Sequence, residues 1–149
     1  MTTYQANDID GTDEFSIDLS LSHPGSEPEL ISEVLQLTPR FCWKAGHVYA
    51  GITKRSTQWF GRAAAGSGNA VFDRELGRLA STMEAKRTFV NEFISGGGSI
   101  EMILNHNIRQ TSGKVFELSI SPTLLCQLGE LGIGLRIQNW SAENSGRRE

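Results

Sequence analysis

The chain has 149 residues, the size of one domain, and is long enough to bury a core without metals or disulfides. Hydrophobic residues at 38% and charged residues at 21% exclude wholesale disorder. No apolar run approaches the roughly 20 residues that span a bilayer, and the net charge of −3 argues against phosphate-backbone binding as the main task.

That net charge hides an asymmetry. Residues 1–39 hold eight acids and no Lys or Arg, whereas residues 40–90 hold nine bases and three acids. Either the two segments face each other or simply keep the protein soluble, or the acidic one is offered to a basic partner. Met1 to Gln5 lacks the basic and apolar regions of a signal peptide. Cys42 and Cys126 lie far apart among apolar neighbours, which reads as two reduced, mostly buried thiols. Cytoplasm is the expected compartment.

Residues 1–12 read as a flexible leader. Phe15, Ile17, Leu19 and Leu21 then alternate with Ser16, Asp18, Ser20 and Ser22, the period of a half-buried strand. Ser26 as N-cap, Pro28 in the first turn and Glu29 completing a capping box predict a helix. Leu30, Ile31, Val34, Leu35 and Leu37 are its apolar stripe, and Pro39 is its stop. Trp43 to His47 reads as a turn and Val48 to Ile52 as a short strand. Thr57 to Phe60 is a strand with Trp59 inward, and the small residues Ala63 to Asn69 read as a loop.

Helical spacing returns at Val71, Phe72, Leu76, Leu79, Ala80 and Met83, and again at Phe89, Val90, Phe93 and Ile94. This is one long helix or two, broken near Met83 to Lys86. The glycines of Ser95 to Ser99 close it. Ile100 to Asn105 and Val115 to Ile120 predict strands joined by a turn at Thr111 to Gly113. Ser121 caps a helix with Pro122 first and Leu124, Leu125, Leu128 and Leu131 as its stripe. Gly132 ends that helix, Ile133 to Trp140 is the last strand, and residues 141–149 read as a flexible tail. The expected fold is thus a single α+β domain over residues 13–140, in the order β-α-β-β-α-β-β-α-β. Its sheet is mostly antiparallel with the helices on one face. Phe15 to Pro39 and Phe116 to Trp140 echo each other, which suits a duplicated ferredoxin-like half.

No catalytic constellation is readable. Cys42, His47, His106 and Cys126 lack the spacing of a structural zinc site, so no metal is expected. There is no Gly-x-Ser-x-Gly elbow, and Cys42 between two aromatics does not fit a reactive thiol. Asp8, Asp10 and Asp13 read as solvated charges, without the full EF-hand pattern. Gly66, Gly68 and Asn69 precede a helix and suit an anion by their backbone N–H groups, with Trp59 and Arg62 nearby in the chain, but no Gly-Lys-Ser/Thr follows. Arg74 and Arg78 alternate with Asp73 and Glu75 like an ordinary solvated helix face.

Certain segments carry a likeness. Glu29 to Pro39 follows a first strand; Lys44-Ala45-Gly46 and Ser56-Thr57-Gln58-Trp59 come next. Phe116 to Pro122 then leads through Leu128-Gly129-Glu130-Leu131-Gly132 into a strand. Over residues 13–140 this resembles the bacterial domain-of-unknown-function family numbered 4279. The resemblance implies a compact α+β domain, transfers no catalytic residue, and makes Pro39, Gly46 and Trp59 fold markers. The expected function is a non-enzymatic protein-binding domain, in its concrete form an immunity or inhibitor protein that neutralises a toxin. Asp8, Asp10, Asp13 and Glu14 would meet the partner. The alternative is a small-ligand or phosphate-binding domain, or an enzyme, using Trp59, Arg62, Gly66, Gly68 and Asn69. The expected partner is another protein or a second copy of the chain, with no nucleic acid, membrane or cofactor.

Overall fold

The computed structural model describes residues 13–108 and 117–140. Strand β1 (Phe15–His23) leads into helix α1 (Pro28–Leu35), then the short strands β2 (Phe41–Trp43), β3 (Val48–Tyr49) and β4 (Ile52–Thr53), and the long β5 (Thr57–Gly66). Helices α2 (Asn69–Ala85) and α3 (Arg87–Ser95) precede β6 (Ser99–Asn107), and α4 (Pro122–Leu131) precedes β7 (Gly134–Trp140). Five strands form one sheet in the order β2-β5-β1-β6-β7, and β3 and β4 form a separate hairpin. Every pair in the sheet is antiparallel except β6–β7. No helix among the described residues is long and apolar enough to cross a membrane.

The alternation in β1 places Phe15, Ile17, Leu19 and Leu21 on the helix side, where none is more than 1% exposed. Ile31 and Leu35 of α1, Phe72, Leu76 and Met83 of α2, Val90 and Phe93 of α3 and Leu128 and Leu131 of α4 join them in one core. Each such side chain contributes about 1.5–3 kcal/mol by leaving water. All four helices thus cover one face of the sheet. The break between the two middle helices falls at Lys86, inside the expected span.

Several boundaries differ from the sequence reading. Helix α1 is capped by Glu27, without a side-chain cap bond, because Ser26 is engaged in the preceding turn. Its N–H donates to His23 Nδ1 at 2.9 Å and its carbonyl accepts from Thr57 Oγ1 at 2.6 Å. The helix ends at Leu35 with Gln36 in the left-handed region, before Pro39 can act, and Leu37 packs on the core from beyond the helix. Ala63 to Gly66 continue β5 rather than forming a loop. The register slips between Ile17 and Asp18, leaving Ala63 as the extra residue of a bulge. Gly66 at the end of the strand is held to a glycine, since a Cβ there would lie 3.1 Å from Val71 and 3.3 Å from Phe15.

Phe41 to Trp43 pairs with β5 as a strand, where a turn was expected from Trp43. Val48 to Ile52 is a hairpin turning at Ala50-Gly51, not one strand. Glu117 to Ile120 is not a strand, and the rest of that expected strand lies outside the described residues. Among the described residues, Glu117 to Ile120 thus supplies no strand to match β1 in the echo between Phe15–Pro39 and Phe116–Trp140. Cap Ser121 accepts from the Leu124 N–H at 3.2 Å, and Gly132 ends α4 at φ 76°, both as read from sequence. Cys126 is exposed on α4 rather than buried, because it points away from the Leu128–Leu131 stripe, while Cys42 is half-buried.

Candidate functional site

The sheet face turned away from the helices carries a polar network. Ser16 and Asp18 are fully buried although they occupy the polar face of β1, and Asn105 is 2% exposed. Arg62 Nε on β5 donates to Asp18 Oδ1 at 2.9 Å, and Asn105 Nδ2 on β6 donates to Asp18 Oδ2 at 2.7 Å and to Ser16 Oγ at 3.1 Å. Gln138 Nε2 on β7 then donates to Asn105 Oδ1 at 3.2 Å, so the network crosses four strands. Burial pushes the Asp18 carboxyl above its usual range, against the pull of Arg62, Arg40 and Asn105. Both oxygens of Asp18 are taken by neighbours, which makes this a structural cluster. Lys44 pairs with Glu27 at the surface, so two bases of the middle of the chain meet acids of its first third, while Arg74, Arg78 and Arg87 pair with Glu75 and Glu84 of their own segment.

Beyond β2 the chain leaves the sheet as an arm. Strands β3 and β4 meet in a turn with Ala50 at φ 50° and Gly51 at φ 78°, the conformation that matches strand twist in a two-residue hairpin. An isolated hairpin is marginal in water, and this one is fastened at its base. Thr57, fully buried, donates to the Ser26 carbonyl and accepts from the Ala45 N–H at 3.1 Å. The Gly46 N–H donates to the Lys54 carbonyl and the Lys54 N–H to that of His47, each at 2.8 Å. Lys54 Nζ lies 4.2 Å above the Trp43 ring, and Tyr49 lies 6.3 Å from it. Phe41 stacks between Trp43 and Phe60 at 5.1 and 5.4 Å, which ties the aromatic base of the arm to β5.

The arm gives nothing to the core. Every residue from Gly46 to Thr53 is exposed. Val48 is 64%, Ile52 63% and Tyr49 38% exposed. The register sets Val48 across from Thr53 and Tyr49 across from Ile52, so each face of the hairpin presents an apolar side chain. Residues 44–55 also hold Lys44, His47, Lys54 and Arg55 and no acid.

The residues nominated from sequence fall in three places. Asp8 and Asp10 lie outside the described residues. Asp13 and Glu14 are half-buried at one end of the sheet. There the Glu14 N–H donates to the Gly66 carbonyl at 2.9 Å and to Ser67 Oγ at 3.3 Å, and the Asn107 N–H returns to the Glu14 carbonyl at 2.8 Å. The two candidate sets thus meet at Gly66, with Gly68 and Asn69 opening α2 alongside. Trp59 is fully buried on the helix face, its indole N–H donating to Ser32 Oγ at 2.9 Å, whereas Arg62 serves the opposite face. Trp59 and Arg62 do not share a cleft. Reading from sequence missed the arm's exposed apolar residues and Thr57; the signal available was an acid-free apolar run that fits no core period.

Two clefts lie against α4. One, of about 320 Å³, is bordered by Asp73, Leu76, Ser119, Ile120 and Leu124. The other, of about 670 Å³, is bordered by Glu84, Arg87, Cys126 and Glu130. In the larger, Glu84 Oε1 already holds Arg87, and Cys126 Sγ lies 3.6 Å from Glu130 Oε1. The smaller brings together no nucleophile and base, and the larger only the exposed Cys126 thiol and the Glu130 carboxylate, one helical turn apart on α4. Among the described residues no three His, Cys, Asp or Glu side chains converge as a metal site.

No curated protein and no solved structure matches the chain. The family described as Domain of unknown function (DUF4279) matches residues 13–142, most of the sequence and the whole of the sheet and its helices. The chain therefore belongs to that family, as its segments around Pro39, Gly46, Trp59 and Leu128 suggested.

Proposed function

We propose that this domain is a non-enzymatic protein-binding module whose working surface is the 44–55 arm. The observation that carries the reading is the exposure of Val48, Tyr49 and Ile52 on a hairpin that contributes nothing to the core. Exposed apolar side chains grouped inside a charged surround have the anatomy of an interface. Lys44, His47, Lys54 and Arg55 make that surround basic, so the partner presents an acidic rim around an apolar recess. In its finer form the module is an inhibitor or immunity protein, since a hairpin apolar on both faces is shaped to fill a partner's cleft and so block it.

The test is affinity capture from the native host lysate with two folded baits, the wild type and the double variant Val48→Ser, Ile52→Ser. The expected result is a stoichiometric protein held by the wild type, lost from the variant, and released by salt as the basic rim is screened. Identical captures by both baits, or nucleic acid in place of protein, would overturn the reading.

A further inference from the structure

We infer that His23 is an acid-sensitive latch for the arm: a second proton on its ring undoes the turn that ties the arm's base to the fold. Nδ1 of His23 accepts two backbone N–H groups, from Gly25 at 3.0 Å and from Ser26 at 2.9 Å. It is therefore the unprotonated nitrogen of a neutral ring. The turn held in this way fastens the arm twice. The Ser26 carbonyl accepts from Thr57 Oγ1, which in turn accepts from the Ala45 N–H. Glu27, the next residue, pairs with Lys44. Thr57 also stands opposite His23 in the β1–β5 ladder, so the ring and the strap it controls are neighbours.

A doubly protonated imidazole has two donors and no acceptor. Its Nδ1–H then meets two N–H donors, and either the ring or the turn must give way. The ring has little room to retreat. It lies 4.8 Å from the Phe93 ring on α3, and a Cβ on Gly96 would stand 2.9 Å from its Nε2. The turn is the softer side, since Pro24 and Gly25 are both exposed. No neighbouring acid holds the charged ring in place. On α3, Glu92 is exposed beside Phe93; Glu27 at the start of α1 holds Lys44; Glu101 on β6 holds Arg136. Strand β5 meets the ring with Thr57 and Gln58, which carry no charge, and Arg55 before them is exposed. Among the described residues none of these groups forms an ion pair with His23. What the release regulates rests on the reading of the arm as a binding surface; the release itself does not.

Amide exchange of the full chain at about pH 7.5 and about pH 5, on either side of the range in which imidazoles titrate, tests it. Rates are taken relative to the unstructured chain at each pH. In acid, protection at Ser26 and Ala45 is expected to fall about tenfold, while Leu19 and Met102 in the sheet keep theirs. His23→Asn is the control, because an asparagine oxygen accepts an N–H two residues on and does not titrate. Its protection at Ala45 is expected to be the same at both pH values. An equal acid loss in wild type and His23→Asn, no loss in the wild type, or a loss shared by Leu19 and Met102 would overturn the latch. Ring-nitrogen shifts of the wild type supply a second readout that needs no variant. The loss at Ala45 is expected to follow protonation of His23; a loss that follows His47 or His106 instead overturns it. Neither readout uses a partner, so a failed latch and a failed capture by the arm are told apart.

Discussion

Arg62 and the arm residues Lys44, Lys54 and Arg55 come from the same basic stretch of sequence, and the fold puts them to opposite use. Arg62 is drawn into the sheet, where its guanidinium neutralises a carboxylate that has no access to water. The arm's charges stay at the surface around apolar side chains that the fold leaves uncovered. Arg62 is held against its buried counter-ion and completes the structure, whereas the apolar side chains of the arm, exposed among the described residues, are where we propose that another molecule binds. The predictions below separate the two.

The largest effect belongs to the buried pair. Arg62→Ala leaves Asp18 without its counter-ion, and about 3–5 kcal/mol of stability should be lost at neutral pH, measured by urea denaturation. Asp18 also sets a pH signature. Burial, outweighing Arg62, raises its carboxyl in the folded chain above the value it has in the unfolded chain. Between the two values the folded chain therefore holds more protons than the unfolded one, and this group's contribution to stability falls as pH rises through that window. The wild type should lose stability relative to Asp18→Asn from acid to neutral pH; a constant difference would show that Asp18 does not titrate there. Thr57→Val, which strips two partners from the base of the arm, should cost about 1–3 kcal/mol and speed amide exchange at Lys54. Ala50→Gly should gain about 0.5–1 kcal/mol, as relief of a left-handed alanine exceeds the glycine's entropy. Smallest of all, Val48→Ser with Ile52→Ser should change stability by no more than about 0.5 kcal/mol, since neither side chain is buried.

The helix side of the molecule was legible in sequence because its signals are local. The alternation of Phe15 to Leu21 fixes a strand and its buried face, and Ser121, Pro122 and Gly132 mark both ends of α4. What was not legible depends on distant parts of the chain. Ala63 to Gly66 have weak strand preference, and their pairing comes from β1, about fifty residues earlier. Period two assigned Asp18 to the polar face, but nothing near it announces Arg62 and Asn105 arriving from other strands. The turn at Ala50-Gly51 lacks the Asn-Gly signature, so the arm was read as one strand and its exposure missed. Trp59 shows the reverse case: its inward direction was read correctly, and that same burial separates it from Arg62.

The most direct test places a photoreactive amino acid at Ile52 on the arm and, as a control, at Leu125 on α4, which is 47% exposed against 63% for Ile52. Irradiation in native host lysate should cross-link one protein species from position 52 and none in common from position 125. The same products from both positions, or none from position 52, would contradict the assignment of the arm as the binding surface.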